Sequence, residues 1–270
     1  MAGLVLVHGN PETAAIWQPL IEVLGVADVE TLSPPGFGAP VPDGFGATAD
    51  DYAAWLAGEL ENRREPVDLV GHDWGGGHVA RVAIERPDLI RSWAIDIGGC
   101  LAPDYVWHDL AQVWQTPGAG ESAVAGMLAI PVAERAAQYE ALGMTPGVAE
   151  AVAAAADEAM GRCILALYRS AAQPAMARLG EQLGNAVARP GLVIMPTEDG
   201  YTGGERRARW AAEKAGAKVA VLPGLGHWWM LQDPGAGARV LREFWEEAPA
   251  MRGAHAIDEP PADTPPRGAA

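Results

Sequence analysis

The sequence is poor in cysteine and in basic side chains, and it has no long hydrophobic run. Cys100 and Cys163 are its two cysteines, too few for the disulfide framework of a small secreted protein, so we expect two reduced thiols. No stretch of about 18 uninterrupted apolar residues is present, which predicts no membrane span. The N-terminus also lacks a charged segment followed by a long apolar one, so we predict no signal peptide and a cytoplasmic protein.

The charge balance is strongly acidic. The 270 residues carry 35 acidic and 19 basic side chains, for a formal net charge of −16. Nucleic acids and acidic membranes need a basic face, so we expect neither as a partner. The composition is 49% hydrophobic, which excludes a disordered chain. None of this decides between a monomer and a homodimer.

Short apolar runs alternate with longer segments of helical period along most of the chain. This alternation predicts an α/β fold, a mostly parallel sheet with helices on both faces. The helices are expected over Ala14 to Leu24, Thr48 to Glu61, Gly76 to Glu85, Glu205 to Ala215 and Pro234 to Glu247. The strands are expected over Leu4 to Val7, Val26 to Leu32, Val67 to Val70, Ile90 to Ile97, Gly191 to Met195 and Lys218 to Leu222.

The pattern changes in the middle of the chain and again at its end. Residues 103–188 lack β-branched strand runs and are rich in good helix formers, which predicts an all-helical domain inserted into the sheet domain. The sheet domain then consists of residues 1–102 and 189–248. Residues 249–270 are Pro-rich and nearly devoid of apolar side chains, which predicts a disordered tail.

The strongest local signal is Gly71-His72-Asp73-Trp74-Gly75, at the end of the third predicted strand. Small residues two positions either side of a central side chain are typical of the tight turn that presents a nucleophile at a sheet edge. The central residue here is Asp73, a carboxylate that is an anion at neutral pH. Attack on an acyl group would give only a labile anhydride, whereas attack on a saturated carbon gives a stable ester. Asp73 is therefore predicted to be a nucleophile; the alternative is an aspartate that caps the next helix.

Hydrolysis of such an ester requires a base, which His227 supplies on the loop after the last predicted strand. The acid that orients the histidine should lie between nucleophile and base in the sequence. Asp199, after the fifth strand, is our first choice. Its neighbour Glu198 and Asp96, at the end of the fourth strand, stay open as alternatives.

Two further side chains are predicted beside Asp73. The backbone N–H groups of Asn10 and Trp74 should hold the oxyanion that forms when water attacks the ester. Their side chains are both hydrogen-bond donors without charge, which suits a departing halide. The alternative is that Trp74 is only pocket wall and Asn10 only shapes its loop.

Tyr168, in the helical segment, is predicted either to act as an acid toward the substrate or to pack as an ordinary aromatic residue. We expect no metal, because the sequence shows no ligand spacing typical of a metal site. We also expect no cofactor. The implied partners are a small apolar substrate and water.

Together these motifs resemble the aspartate-nucleophile branch of the α/β-hydrolase superfamily, the haloalkane dehalogenases and epoxide hydrolases. The resemblance rests on His8-Gly9-Asn10-Pro11, Gly71-His72-Asp73-Trp74-Gly75-Gly76 and Gly226-His227. It implies the α/β-hydrolase fold, with the helical segment as a cap over the active site. It also implies that the leading antiparallel strands are missing, because the chain begins at what resembles the family's third strand.

The resemblance does not separate the two activities. Asn10 beside Trp74 resembles the halide-binding pair of one dehalogenase group. Tyr168 resembles one of two cap tyrosines that donate to the epoxide oxygen, and Tyr105 or Tyr139 could stand in for the second. We favour a haloalkane dehalogenase, with an epoxide hydrolase as the alternative. A third reading is a non-catalytic ligand-binding member or a hydrolase of some other natural product.

Overall fold

The computed structural model describes residues 3–255, and within its last helix it describes side chains only as far as Ala248. Six parallel strands form one sheet in the order β2-β1-β3-β4-β5-β6. The strands are β1 (Leu4–Val7), β2 (Val29–Leu32), β3 (Val67–Gly71), β4 (Ile90–Ile95), β5 (Gly191–Pro196) and β6 (Lys218–Leu222). The predicted parallel α/β sheet is confirmed.

Helices connect the strands and cover both faces of the sheet. In the part of the chain that the structure describes, they are α1 (Gln18–Leu24), α2 (Ala49–Glu61), α3 (Trp74–Glu85), α4 (Asp109–Gln115), α5 (Ala119–Ala129), α6 (Val132–Ala141), α7 (Pro146–Ala155), α8 (Glu158–Ser170), α9 (Ala175–Glu181), α10 (Gly204–Lys214), α11 (Trp229–Gln232) and α12 (Pro234–His255). Short 3-10 turns flank several of them. None of these helices is both long and apolar enough to cross a membrane.

Side chains of β1 alternate between two hydrophobic cores. Val5 and Val7 belong to the core that includes residues of α2, α3 and α10. Leu4 and Leu6 belong to the core that includes residues of α1, α11 and α12. A strand that is buried on both faces must be apolar at every position, which explains why β1 reads as an unbroken apolar run.

Several element boundaries differ from the prediction, most of them by one to four residues. The second strand begins at Val29 instead of Val26, and the fourth ends at Ile95 instead of Ile97. The last helix continues to His255, so its backbone is helical past residue 249, where we placed the start of the disordered tail. The remainder of that predicted tail, residues 256–270, lies outside the described residues.

Candidate active site

A strained turn between β3 and α3 presents Asp73. Its backbone has φ 49° and ψ −127°, a conformation that costs free energy for any residue with a side chain. A Cβ atom on Gly71 would lie 2.5 Å from the Gly75 carbonyl oxygen, and one on Gly75 would lie 2.2 Å from that of Val7. No residue with a Cβ atom fits at position 71 or 75 without moving the backbone. The turn is the tight turn that the sequence predicts.

The carboxylate of Asp73 lies against the loop after β1. The Asn10 backbone N–H donates to Asp73 Oδ1 at 3.0 Å. Gly9 lies so close that a Cβ there would be 2.1 Å from the same oxygen. A negative oxygen on the Asp73 carboxyl carbon would thus meet a backbone donor already in place, as in an oxyanion hole.

His227 faces Asp73 from the loop after β6. Its Nε2 is 3.8 Å from Asp73 Oδ2, and its Nδ1 is 2.9 Å from Asp199 Oδ2. The backbone N–H of Tyr201 donates to Asp199 Oδ1 at 2.8 Å and fixes that carboxylate. The carboxyl ends of parallel strands meet at one sheet edge, so residues distant in sequence come together here.

The two alternative acids have other partners. Glu198 is exposed, and its Oε1 contacts the Thr197 hydroxyl. Asp96 is buried and accepts from the Asp73 backbone N–H at 3.0 Å. Of the three acids considered, the structure brings Asp199 to the histidine.

The charges of this trio depend on one another. Burial raises the pKa of Asp73 to about 6, although the charge of His227 opposes the shift. Burial also disfavours a charged His227, yet Asp199 and Asp73 raise the pKa of the imidazole above its usual value. The pKa of Asp199 is lowered: burial raises it, but the charge and the hydrogen bond of His227 outweigh burial.

A second buried network lies beside Asp73 and His227, and the sequence did not reveal it. His72 Nδ1 is 2.5 Å from Asp96 Oδ2, and His72 Nε2 is 3.1 Å from Glu12 Oε1. The indole N–H groups of Trp229 and Trp228 donate to Asp96 and Glu12, respectively. Glu12 directly follows the His8-Gly9-Asn10-Pro11 motif, and this position was the one sequence signal that could have pointed to the network.

Glu12, His72 and His227 each offer a ligand atom, all within 4.8 Å of one another, so this cluster could hold a metal ion. Metal binding requires neutral imidazoles. Burial alone would lower the pKa of His72, but Asp96 and Glu12 raise it well above its usual value. A protonated His72 opposes a metal at this cluster.

Two cavities open beside Asp73. The larger, of about 220 Å³, reaches from Asn10 and His227 to the inserted helices between β4 and β5. The smaller, of about 30 Å³, is lined by Trp74 and its neighbours. Tyr168 lines both. Asn10 and Trp74, which we expected to point together at one leaving group, therefore line different cavities.

The side chains of those two residues are also in different states. Both polar atoms of the Asn10 amide are buried without a hydrogen-bond partner. The Trp74 ring instead packs edge-on to Tyr168, with centroids 5.1 Å apart. Burial and the charge of Asp73 keep the pKa of Tyr168 well above its usual value, so the phenol is protonated.

The two other tyrosines considered are placed differently. The Tyr105 hydroxyl donates to the Tyr201 carbonyl at 2.8 Å and lines the smaller cavity. Tyr139 lines the larger cavity. Cys100 and Cys163 are buried free thiols.

Comparison with known proteins agrees with this fold. The pattern of the "Alpha/beta hydrolase family" matches residues 4–240. A curated relative from Acinetobacter baylyi, an (E)-2-((N-methylformamido)methylene)succinate hydrolase, is 32% identical over 94 residues. That match covers 34% of this chain and 36% of the relative, so the chain spans about a third of the length of the curated relative it matches.

Solved structures of several hydrolases have a similar fold. A loop variant of a haloalkane dehalogenase from Bradyrhizobium elkanii superposes with a TM-score of 0.68 at 19% identity, covering 96% of this chain and 92% of that one. A serine hydrolase involved in carbazole degradation gives 0.68 at 18%, covering 91% of each chain. At such identities the likeness extends to the fold alone. Since the family pattern covers most of its length, this chain belongs to the α/β hydrolase family.

Proposed function

We propose that the protein is a hydrolase that works through a covalent ester on Asp73, and that it is a haloalkane dehalogenase. Asp73 Oδ2 attacks a saturated carbon, a C–O bond forms, and the carbon–halogen bond breaks with its electron pair leaving on the halide. The observation that supports this most directly is a carboxylate, not a hydroxyl, on the strained turn, with a histidine 3.8 Å away.

Water then cleaves the ester. His227 takes a proton from the water, whose oxygen attacks the Asp73 carboxyl carbon, and the Asn10 N–H receives the resulting oxyanion. Collapse of this intermediate releases an alkoxide, which takes the proton from His227 and leaves as the alcohol. Asp73 remains as the carboxylic acid and then loses its proton to solvent, which restores the carboxylate. The net reaction converts an alkyl halide and water into an alcohol, a halide and a proton.

The coupled charges favour this order of steps. In the free site the Asp73 charge helps to raise the pKa of His227. Esterification removes that charge, so the pKa of His227 falls when the imidazole has to act as a base. Asp199 keeps its charge and holds the ring in place throughout.

The leaving group is assigned from Asn10. An amide with both polar atoms buried and unpaired costs about 1–3 kcal/mol, which a ligand that accepts its hydrogen bond would offset. A halide leaving the carbon beside Asp73 is such a ligand. This supports dehalogenation, with Asn10 as the principal donor.

Tyr168 favours a second candidate, an epoxide hydrolase. Its phenol is protonated, lines both cavities, and belongs to the inserted helices that face Asp73. An opened epoxide leaves an alkoxide attached to the substrate, and a phenol at this place could donate its proton to that oxygen. The product would then be a vicinal diol.

Relatives with other activities define the remaining alternatives. One structural neighbour is a serine hydrolase, and the curated relative is a hydrolase of a succinate derivative. Asp73 in place of a serine argues against a stable acyl intermediate. A ligand-binding member without catalysis is the third alternative, and the paired Asp199 and His227 argue against it.

The first prediction tests the ester. His227→Ala removes the base but not the nucleophile, so incubation with 1-bromobutane should add the mass of one butyl group to Asp73, as seen by intact-protein and peptide mass spectrometry. Asp73→Asn is the matched control and should gain no mass. A protein that remains unmodified by bromoalkanes and by styrene oxide would contradict the covalent mechanism.

The second prediction separates the two leaving groups. In a dehalogenase, Asn10→Ala should lower the rate of bromide release about 100-fold, as for loss of an oxyanion donor, while Tyr168→Phe has a smaller effect. In an epoxide hydrolase, Tyr168→Phe should abolish diol formation. Diol formation from styrene oxide without any bromide release from a bromoalkane panel would exclude the dehalogenase assignment.

A further inference from the structure

A buried arginine lies in the larger cavity, on the inserted helix α6. Arg135 is 4% exposed. Its Nε and Nη2 donate to the Ala153 carbonyl at 3.2 and 2.9 Å, and its Nη1 donates to the Met127 carbonyl at 2.8 Å. A guanidinium has five N–H donors, so these three bonds leave two of them for another acceptor.

The charge of Arg135 has no acidic partner among the residues whose side chains are described. Other arginines of the chain pair with carboxylates, for example Arg81 with Asp50 and Arg169 with Glu121. Its own acceptors are carbonyls near the C-terminal ends of α5 and α7, whose helix dipoles offset only part of a positive charge. Burial of a cation without a counterion costs free energy. The chain has more acidic than basic side chains, yet no described carboxylate pairs with Arg135.

The face of α6 that carries Arg135 lines the same cavity as the catalytic residues. Gln138, Tyr139 and Leu142 follow at helical spacing and line that cavity as well. Burial raises the pKa of Tyr139 to about 12, although Arg135 opposes the shift, so this phenol is a donor. The cavity that Asp73 lines therefore also presents a cation, an amide and a phenol from α6.

We propose that Arg135, with Gln138 and Tyr139, binds a carboxylate of the substrate while Asp73 attacks a carbon at the substrate's other end. A guanidinium fork matches a carboxylate in shape and charge. This inference rests on the proposed ester mechanism and narrows its substrate to a halogenated or epoxidised carboxylic acid. It replaces the uncharged apolar substrate expected from the sequence.

The charges in the cavity also constrain the distance between the carboxylate and the reacting carbon of the substrate. Asp73 and Glu12 line the same cavity and repel a carboxylate, and the charge of Glu12 also acts on Tyr139, so the acid group has to lie against Arg135. An acid whose halogen is on the carbon next to the carboxylate would bring that group close to Asp73. The preferred substrates are therefore ω-halogenated acids with several carbons between the two ends.

The test measures the rate at which Asp73 is alkylated in the His227→Ala protein. The probes are ω-bromoalkanoic acids of three to six carbons, each paired with its primary amide, which has nearly the same shape and no charge. At the best chain length the acid should react at least about tenfold faster than the amide, a difference of about 1.4 kcal/mol. Equal rates, or a faster amide, would overturn the inference and leave the ester mechanism intact. No adduct with any probe or with 1-bromobutane would instead overturn the ester mechanism.

Variants of α6 provide the second measurement. Adding Arg135→Gln to His227→Ala should lower the ratio of acid to amide rates to about one, and Arg135→Lys, which keeps the charge without the fork, should give an intermediate ratio. If Arg135→Gln unfolds the protein, Gln138→Glu places an anion one turn away on the same face and should lower the same ratio. An unchanged ratio in the folded variants would contradict a role for Arg135 in carboxylate binding.

Discussion

At Asp73, two opposing effects act on one carboxylate. Burial raises its pKa, and the positive charge of His227 lowers it, with a balance at about 6. The carboxylate is therefore mainly ionised at neutral pH, as nucleophilic attack requires. Its ionisation nonetheless depends on a histidine that is 3.8 Å away.

A pH prediction follows from this balance. In the native protein the rate of Asp73 alkylation should fall as the pH drops through about 6. His227→Ala removes the charge that lowers the pKa of Asp73, so the midpoint should move to higher pH. Rapid-quench mass spectrometry of the adduct over pH 5 to 9 measures both midpoints. A midpoint that stays in place, or moves down, would show that the two groups are not coupled as described.

Single residues differ in how far the sequence could assign them. Asp73 and His227 follow from glycine-flanked motifs at strand ends, and their proximity follows from the parallel sheet. Asp199 and Glu198 are neighbours in the sequence, and only the backbone turn decides which one is buried toward the histidine. Arg135 carries no sequence signal, because the carbonyls that hold it belong to other helices, α5 and α7.

At the scale of elements, α3 contains three glycines with different surroundings. A Cβ on Gly75 would lie 2.2 Å from the Val7 carbonyl oxygen, since the helix begins against the end of β1. A Cβ on Gly77 would find only an ordinary contact, 3.6 Å from the Trp74 ring. The close approach of α3 to β1 thus depends on glycine at position 75.

Alanine substitutions should separate these two glycines. Gly75→Ala should lower the free energy of unfolding by about 3 kcal/mol or more, because neither backbone can move away without distorting the turn. Gly77→Ala should be neutral or raise it by up to about 1 kcal/mol, through better helix propensity. Urea denaturation followed by circular dichroism compares the two; similar stabilities would contradict the proposed clash.

Helices and strands were predictable where one hydrophobic pattern extends over the whole length of the element. The capping box of α2, Thr48 with Asp51, and the apolar strand β6 lie where local sequence places them. The last helix was the exception. Residues 249–255 have little apolar character, yet the backbone continues as a helix to His255. Extending a helix that has already formed costs less free energy than starting a new one. The composition of residues 249–255 alone does not reveal this effect.

At the scale of the whole molecule, the Glu12–His72–Asp96 network joins loops from four strands. Glu12 accepts from the Gly9 backbone N–H and the Trp228 indole, and Asp96 accepts from the Asp73 backbone N–H. The loop that carries Asn10, the turn that carries Asp73 and the loop that carries His227 are thereby tied to the buried His72. No such link could be read from the order of these residues in the chain.

Glu12→Gln should destabilise the fold in a pH-dependent way. Burial raises the pKa of Glu12, but His72 outweighs it and lowers the pKa from 4.5 to about 2. Its stabilisation is therefore complete above about pH 4.5 and is lost as the pH falls toward 2. At pH 7 the variant should lose about 3 kcal/mol of unfolding free energy.

Urea titrations at pH 7 and at the lowest pH where the protein is folded measure this loss. Exposed Glu22→Gln is the control and should change stability by less than about 0.5 kcal/mol. A Glu12→Gln protein as stable as the native one at pH 7 would show that the network does not stabilise the fold.

The strained turn has a consequence for how such a protein can diverge. Its geometry requires glycine at positions 71 and 75, and its backbone presents whichever side chain stands at position 73. The backbone thus fixes the place of this side chain, whereas its chemical identity is decided by a single codon. One substitution at position 73 can therefore change the chemistry that the turn presents without rebuilding the backbone around it.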